Sequence, residues 1–288
     1  MIDQLPTDDG IGLASNDEFK FLVLPTTTVH QSRVQIYEPT RRPTDHERVI
    51  ATPWGTAKVT GKLGQGHADI LEAMCYQMEA WRSTDSGGIE FLVDPYKVRK
   101  AANGGLLGCG TQFHVVTKDL MRAIVELDIP HRGIRVRGHI VEEIVESKKT
   151  VKGCGFGKGR MHGEPRHLLK VTLGRAYLAL VVDDLHLHYD PTPISSLRYG
   201  ISQAIARHIA MHRVEPPNGW HLEKLLAAVG AGDPRKLGNR RRELKRDAEG
   251  LANLGINIEV GRVTVRRRQI KALNVMDVAK TNRRASNA

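Results

Sequence analysis

The chain has 288 residues, which is enough for two domains of ordinary size that each bury an apolar core. Forty per cent of the residues are apolar, but no run approaches the roughly 20 consecutive apolar residues that cross a bilayer, so a membrane span is excluded. The formal net charge of +11 favours an anionic partner, and nucleic acid is the commonest of these.

The positive charge is concentrated in one part of the chain. Between Met1 and Glu47 eight acidic residues outnumber four basic ones, whereas between Arg235 and Arg268 eleven Lys and Arg outnumber four Asp and Glu. The opening residues Asp3, Asp8 and Asp9 are not a basic segment followed by an apolar one, so we expect no secretory signal and a cytoplasmic protein.

Residues 1–53 are predicted to be an irregular arm, because Pro, Thr and Asp recur there. Only the short apolar run Phe19–Leu24 has the pattern of a strand. From His67 to Arg82 apolar side chains recur at the spacing of one helix face. Phe91–Val93 follows as a short apolar run, and Asp94–Pro95 then supplies an N-cap and a first helical proline.

Thr111 is predicted to cap a third helix. Its buried face is predicted to carry Phe113, Val116, Leu120, Ile124 and Leu127. Ile134–Arg137 and Leu169–Leu173 both alternate with period two and are separated by a Gly-rich, charged loop, Lys148–Arg166, which we expect to be a mobile wing. The order helix, strand, helix, turn, helix and wing is that of a winged helix-turn-helix.

The second half repeats this plan. Its predicted elements are a connector Gly174–Pro193, a helix capped by Ser195 or Ser196, a helix His221–Val229, a helix from Asp233–Pro234 to Leu254 that ends at Gly255, and a hairpin of Ile256–Val260 and Val263–Arg266. Two copies of one architecture, each with an Asp-Pro start to an inner helix, indicate duplication of a DNA-binding unit.

The helix from Pro234 to Leu254 is the sharpest functional signal. At 100° per residue, one stripe contains Leu237, Leu244, Ala248, Leu251 and Leu254. The opposite side contains Arg235, Asn239, Arg242 and Arg246, flanked by Lys236, Arg240, Arg241 and Lys245. Arg pairs with guanine and Asn with adenine in the major groove, and flanking cations neutralise phosphates. A merely solvated basic face is the alternative.

The other predicted DNA contacts lie in segments with fewer basic residues. They are Arg262 and Arg266 in the second wing, Thr111, Lys118 and Arg122 on the third helix of the first unit, Arg135 and Arg137 near its wing, and Lys158 and Arg160 in the Gly-rich loop. A dimerisation or scaffolding role for the first unit is the alternative.

No enzyme, cofactor or metal site is predicted. The loop around Lys158 lacks the Ser or Thr that follows the Lys of a phosphate-binding loop, because Gly159 stands there. The cysteines Cys75, Cys109 and Cys154 are widely spaced. His186 and His188 lie two apart without a clear third metal ligand. Ser, His and Asp show no catalytic spacing.

The second half resembles the C-terminal winged helix of plasmid replication initiators, in particular the iteron-binding initiators of IncQ-type plasmids. The resembling segments are Ile194–Leu197, Ala204–His208, Arg240–Lys245 and Ala252–Gly255, with a looser match at Leu63–Leu71. The resemblance implies two winged helices on one directly repeated origin site, local melting, and recruitment of the host replicative helicase and initiator. It also assigns the major-groove helix to Arg235, Asn239, Arg242 and Arg246.

The predicted fold is therefore α+β, with two tandem winged helix-turn-helix domains and an irregular N-terminal arm. The predicted boundaries are 1–53 for the arm, 54–182 and 183–268 for the two units, and 269–288 for a tail. The predicted partner is double-stranded DNA at origin repeats, with a homodimer as a further option and no membrane contact. Two alternatives stay open, a transcriptional repressor or mobile-element regulator and, less favoured, a nuclease or relaxase.

Overall fold

The chain has a mixed α+β fold in which every described sheet is antiparallel. No helix among the described residues is long and apolar enough to cross a bilayer. The computed structural model describes residues 26–28, 35–52, 55–84, 88–102, 110–130, 133–151, 165–181, 186–212, 216–259 and 261–265.

Two groups of elements follow one another along the chain. The first contains β1 (Thr27–Thr28), β2 (His46–Thr52), β3 (Gly55–Gly61), α1 (Gln65–Tyr76), β4 (Met78–Ser83), β5 (Ile89–Val93), α2 (Pro95–Ala101), α3 (Gly110–Arg122), β6 (Ile124–Ile129), β7 (Ile134–His139), β8 (Val141–Val151), β9 (Arg166–Leu173) and α4 (Arg175–Val181). The second contains β10 (His186–Leu187), α5 (Thr192–Ser195), α6 (Gly200–Ala210), β11 (Trp220–His221), α7 (Leu222–Ala228), a 3-10 turn (Pro234–Lys236), α8 (Leu237–Arg246), α9 (Ala248–Asn253), β12 (Ile256–Glu259) and β13 (Arg262–Val265).

The strands form four sheets, and the buried apolar residues form two cores. The strand orders are β2-β3-β6-β7, β4-β5-β9-β8, β11-β13-β12 and β1-β10. One core draws its residues from Ile36 to Val181, and the other draws them from Tyr189 to Val263.

Part of the order of elements and strands is common to the two groups. If β4 and the β6–β7 hairpin of the first group and α9 of the second are left out, the series α1, β5, α2, α3, β8, β9 corresponds to α6, β11, α7, α8, β12, β13, and the strand order β5-β9-β8 matches β11-β13-β12. The two predicted Asp-Pro caps are confirmed, with the Asp94 carboxylate accepting from the Tyr96 N–H at 2.9 Å and Asp233 from the Arg235 N–H at 3.1 Å. They are not equivalent in this correspondence, because Asp94 begins α2 and Asp233 begins the turn before α8. The hairpin of β6 and β7 is an insertion between α3 and β8.

The predicted pairing of the first wing is wrong. Ile134–Arg137 lies in β7 and pairs with β6, whereas Leu169–Leu173 lies in β9 and pairs with β5 and β8. The Gly-rich loop joins β8 to β9, so β8 takes the place that was predicted for Ile134–Arg137. Alternation identifies a strand, but it does not identify the neighbour with which that strand pairs.

Part of the predicted arm is ordered. His46–Thr52 forms the strand β2 beside β3, and Ile36 is fully buried. The strand's period-two pattern is obscured because an inward position is occupied by Arg48, whose guanidinium donates to the Ile36 carbonyl at 2.7 Å. Phe19–Leu24 lies outside the described residues.

Two predicted helices are too long because strands follow them directly. Helix α1 ends at Tyr76, and Trp81, which was assigned to its buried face, lies in β4 opposite Phe91. Helix α3 ends at Arg122, and Ile124 and Leu127 lie in β6 between β3 and β7. Short apolar runs fit both the helical period of 3.6 residues and the strand period of 2, and the pairing partner decides between helix and strand.

Three details of the second half also differ from the prediction. The connector Gly174–Pro193 contains α4 and α5. Helix α6 starts at Gly200 after an N-cap at Tyr199, and the hydroxyl of Ser195 instead donates to the Ala101 carbonyl at 2.7 Å. The long helix is interrupted at Asp247, which separates α8 from α9. The predicted hairpin of β12 and β13 is confirmed, and Gly255 has the left-handed φ of +78° expected after α9.

A buried polar network joins the two groups of elements through the helices α1 and α6. Arg207 of α6 donates from Nη1 to Gln65 at 2.7 Å, from Nη2 to Asp69 at 2.6 Å, and from Nε and Nη2 to Glu72 at 2.9 and 2.8 Å. Gln203 donates to the other Asp69 oxygen at 3.1 Å. Burial opposes the charge on Arg207, but Glu72 and Asp69 outweigh it and raise the pKa of Arg207 well above its usual value.

The segment before β2 adds a second connection at the same place. Arg41 donates to the Leu197 carbonyl at 2.9 Å and approaches Asp69 at 3.5 Å. Gly200, the first residue of α6, lies so close to Thr40 that an added Cβ would be 2.6 Å from the Thr40 backbone. The two groups are therefore in direct contact on more than one side of α6.

Replacing Arg207 by Met should destabilise the protein by about 3–5 kcal/mol, because two buried carboxylates would lose their partner. Urea unfolding measures this free energy. The exposed residue Lys224 provides a matched control, since Lys224→Met should change it little. Adding Glu72→Gln to Arg207→Met should recover part of the loss. Equal stability of the Arg207 and Lys224 variants would show that the network contributes nothing.

Candidate nucleic-acid interface

The most basic segment of the second half is the 3-10 turn together with α8. Between Pro234 and Arg246 the sequence has seven Lys and Arg and one acidic residue, Glu243. Asp233 fixes the start of this segment by accepting from both the backbone and the side chain of Arg235, and those hydrogen bonds lower the pKa of Asp233. Asp233 therefore fixes both the start of this segment and the position of its first cation, Arg235.

The predicted division of this helix into two faces is largely confirmed. Leu244, Leu251 and Leu254 are buried, and Leu237 is partly buried against the same core. Ala248 is exposed, contrary to the prediction, and it directly follows the break at Asp247.

The opposite face carries the predicted basic ridge, which we define as Arg235, Asn239, Arg242 and Arg246. All four side chains are exposed, and Arg235 retains 89% of its side-chain surface. Within the ridge Arg242 donates a hydrogen bond to the Asn239 carbonyl oxygen. The guanidinium and the side-chain amide are therefore adjacent. A guanidinium can donate to guanine, and an amide can both donate to and accept from adenine.

The flanking cations differ in how freely they face solvent. Arg240 is only partly exposed and pairs with Glu243 at 3.0 Å, so its predicted role in phosphate contact is weakened. Arg241 pairs with Glu223 of α7 at 2.7 Å, and Lys236 lies 4.0 Å from Asp233. Lys245 is exposed.

Two residues that the sequence did not single out hold the helix in position. Asp247, which is buried, accepts from the backbone N–H groups of Arg198 and Tyr199 at 3.1 and 2.8 Å. The Tyr199 hydroxyl in turn accepts from Arg246 at 3.3 Å, and this hydrogen bond raises the pKa of Arg246. The available signal was a lone Asp that interrupts a strongly basic helix.

The hairpin beyond α9 adds one described cation. Arg262 is exposed at the start of β13, opposite Glu259, and Gly261 before it has a φ of +74° that suits a tight turn. Arg266 lies outside the described residues.

The corresponding helix of the first half, α3, is less charged. Lys118 and Arg122 are exposed as predicted, together with Val115, which keeps 54% of its surface. Thr111 lies in the first turn of α3, but its side chain is not among those described. A helix that exposes an apolar side chain beside cations is suited to contact both thymine methyl groups and phosphates.

Arg135 and Arg137 do not belong to a wing. They are exposed on β7, directly across the strand pair from Asp128 and Glu126, and Arg137 lies 3.3 Å from Glu126. These acids offset their charge, so this sheet is a poorer phosphate site than the sequence indicated. Lys158 and Arg160 lie outside the described residues.

Groups that could carry catalysis or bind a metal ion were compared over the described part of the chain. No group of three or more His, Cys, Asp and Glu side chains is placed there to hold a metal ion. Cys75 is buried, and burial raises the pKa of its thiol to about 12, so it stays protonated.

Comparisons with known proteins give one distant likeness. No protein-family model matches the chain, and no curated protein matches it. The chain is similar to the crystal structure of RctB domains 2-3, with a TM-score of 0.42 and 10% identity over 82% of this chain and 94% of that one. A likeness at this level assigns neither a family nor a function.

Replacing Asp247 by Ala should lower the free energy of unfolding by about 1–3 kcal/mol, because two backbone N–H groups would lose their acceptor. Thermal or urea unfolding measures the change. Glu249, exposed two residues further on, is the control, and Glu249→Ala should be nearly neutral. If the two variants are equally stable, Asp247 does not anchor α8.

Proposed function

We propose that this chain is a sequence-specific double-stranded DNA-binding protein, built from two winged-helix units, that initiates plasmid replication at directly repeated origin sites. The observation that carries the proposal is the exposed basic ridge opposite a buried leucine face. The resemblance of the second half to plasmid replication initiators supplies the finer part of the proposal.

The order of elements supports the two units. Apart from β4 and the β6–β7 hairpin of the first half and the break between α8 and α9 in the second, each half has a helix, a strand, two further helices and two strands, and the last strand lies between the other two. On this proposal the halves are winged helices, with α3 and α8 in the position of the helix that enters the major groove. The β6–β7 hairpin is then an insertion in the first unit.

The dimensions and charge of α8 fit this role. Its ten residues span about 15 Å along the helix axis. The diameter of an α-helix with its side chains, about 10–12 Å, is accommodated by a major groove about 12 Å wide. On this proposal Arg242 and Asn239 contact base edges, Lys236 and Lys245 contact phosphates, and Arg262 contacts the backbone from the wing.

The pairing of two unlike units in one chain favours direct repeats. A symmetric dimer presents the same surface twice around a two-fold axis and therefore matches a palindrome. Here α3 and α8 differ in charge, and the halves that carry them are joined through the buried network between Arg207 of α6 and three side chains of α1, so one chain presents an asymmetric surface. An asymmetric surface recognises a DNA site that is itself asymmetric. Several chains then bind several copies of that site in the same direction, which are direct repeats.

Replacing Arg242 by Ala should weaken specific binding by about 1–3 kcal/mol and relax the preference at one base pair. Replacing Lys245 by Ala should weaken binding to all sequences about equally. It should also reduce the slope of log K against log salt concentration by about one. Salt-dependent binding to specific and unrelated duplexes separates the two effects. A uniform loss for Arg242→Ala would assign that residue to phosphate.

Footprinting on the DNA that flanks the gene should reveal a ladder of protected direct repeats. A single protected palindrome at a promoter would instead indicate a transcriptional repressor or mobile-element regulator. The proposal also holds that the chain has no catalytic activity of its own. Nicking of supercoiled DNA in the presence of magnesium or manganese would contradict that part and favour a nuclease or relaxase.

A further inference from the structure

Two histidines lie together at the C-terminal end of α6. His208 and His212 are four residues apart, their Nε2 atoms are 3.1 Å apart, and their ring centroids are separated by 4.7 Å. The ring of His212 also lies 6.0 Å from the indole of Trp220 in β11. His212 is exposed, and its backbone N–H donates to the Ile209 carbonyl at 3.0 Å, which holds it close to the helix end.

The separation of the two nitrogens is close to that of neighbouring ligands on one metal ion. With a metal–nitrogen distance of about 2.1 Å, a separation of 3.1 Å corresponds to an angle of about 95° at the metal. Angles near 90° belong to octahedral or tetragonal ions, whereas tetrahedral Zn²⁺ would require the nitrogens to be about 3.4 Å apart. His208 lies in the last turn of α6 and His212 lies two residues beyond the end of that helix at Ala210, so the pair has the i, i+4 spacing of metal-binding helices although only His208 is helical.

We propose that His208 and His212 form a two-histidine site for a divalent transition-metal ion, with Cu²⁺ preferred over Ni²⁺ and Zn²⁺. Both nitrogens would be ligands, with water in the remaining positions, and the metal would replace the proton now shared between the rings. The affinity order of divalent ions for imidazole places Cu²⁺ first. The carbonyl end of α6 carries partial negative charge, which favours a cation there.

The site has a structural consequence that does not depend on DNA binding. The two ligands come together only when the end of α6 is folded, so a bound ion stabilises the folded chain. It also fixes His212 beside Trp220, and Trp220 belongs to the strand that pairs with β13. Metal binding therefore stabilises the connection between α6 and the three-stranded sheet of the second half.

The test is a Cu²⁺ titration of the chelator-treated full-length chain, followed by calorimetry and tryptophan fluorescence. We expect one site whose occupation quenches fluorescence, because Cu²⁺ would lie close to Trp220. His208→Ala and His212→Ala should each weaken that site about tenfold or more, since each removes one of two pre-positioned ligands. The chain has thirteen histidines, so the control is His114→Ala, an exposed histidine of α3, which should bind as the unchanged protein does.

A second measurement guards against a folding defect. Zn²⁺, which binds imidazole without quenching, should raise the thermal unfolding midpoint of the unchanged protein and of His114→Ala, but not of His212→Ala. The metal-free midpoint of His212→Ala should stay close to that of the unchanged protein, because the side chain is exposed. Cu²⁺ binding that is unaffected in both His208 and His212 variants, or weakened equally by His114→Ala, would overturn the proposal.

Discussion

The side chain of Arg207 is 6% exposed and contacts three side chains of α1 across the boundary between the two halves. Each of its donors faces a specific oxygen, so a displacement of α6 along α1 by one turn, about 5.4 Å, would leave Asp69 and Glu72 buried without a partner. An apolar contact would tolerate such a shift far better, because apolar attraction is not directional. The network therefore fixes the orientation of one half relative to the other more than it adds to stability, and with it the relative placement of α3 and α8.

Charge is distributed unequally over the described surface. On the sheet that contains β7, acids stand directly across from the arginines, as Glu126 does from Arg137. Along α8 the acids pair with only some of the cations, since Asp233 pairs with Arg235, Glu243 with Arg240 and Glu223 with Arg241. Asp247 instead accepts from backbone N–H groups at the end of the helix. Seven Lys and Arg stand against one acid between Pro234 and Arg246, so this segment keeps a net positive field.

Local signals predicted more of the second half of the fold than of the first. Asp233 and Gly255 mark the ends of the basic helix by mechanisms that involve a few neighbouring residues, and both were identified correctly. Trp81 satisfies both a helical and a strand period, and only its pairing partner far along the chain decides between them. Arg207 carries no local sign of its role, because its partners lie about 140 residues earlier. The exposed ridge was predictable from periodicity, but its anchor Asp247 required the fold.

The unequal charge of the two helices also bears on where sequence preference would arise under the proposed function. Contacts to phosphates supply affinity for any duplex, and they do so most strongly at α8, where the cations are concentrated. Once α8 is bound, binding of α3 to the same duplex becomes intramolecular, with an effective concentration set by the connection through Arg207. The helix α3 therefore needs little affinity for DNA of its own. A helix that adds little non-specific attraction loses a larger share of its binding energy at a wrong base. Val115 and the two cations of α3 would then contribute more to discrimination than their charge indicates, while α8 supplies most of the hold on the duplex.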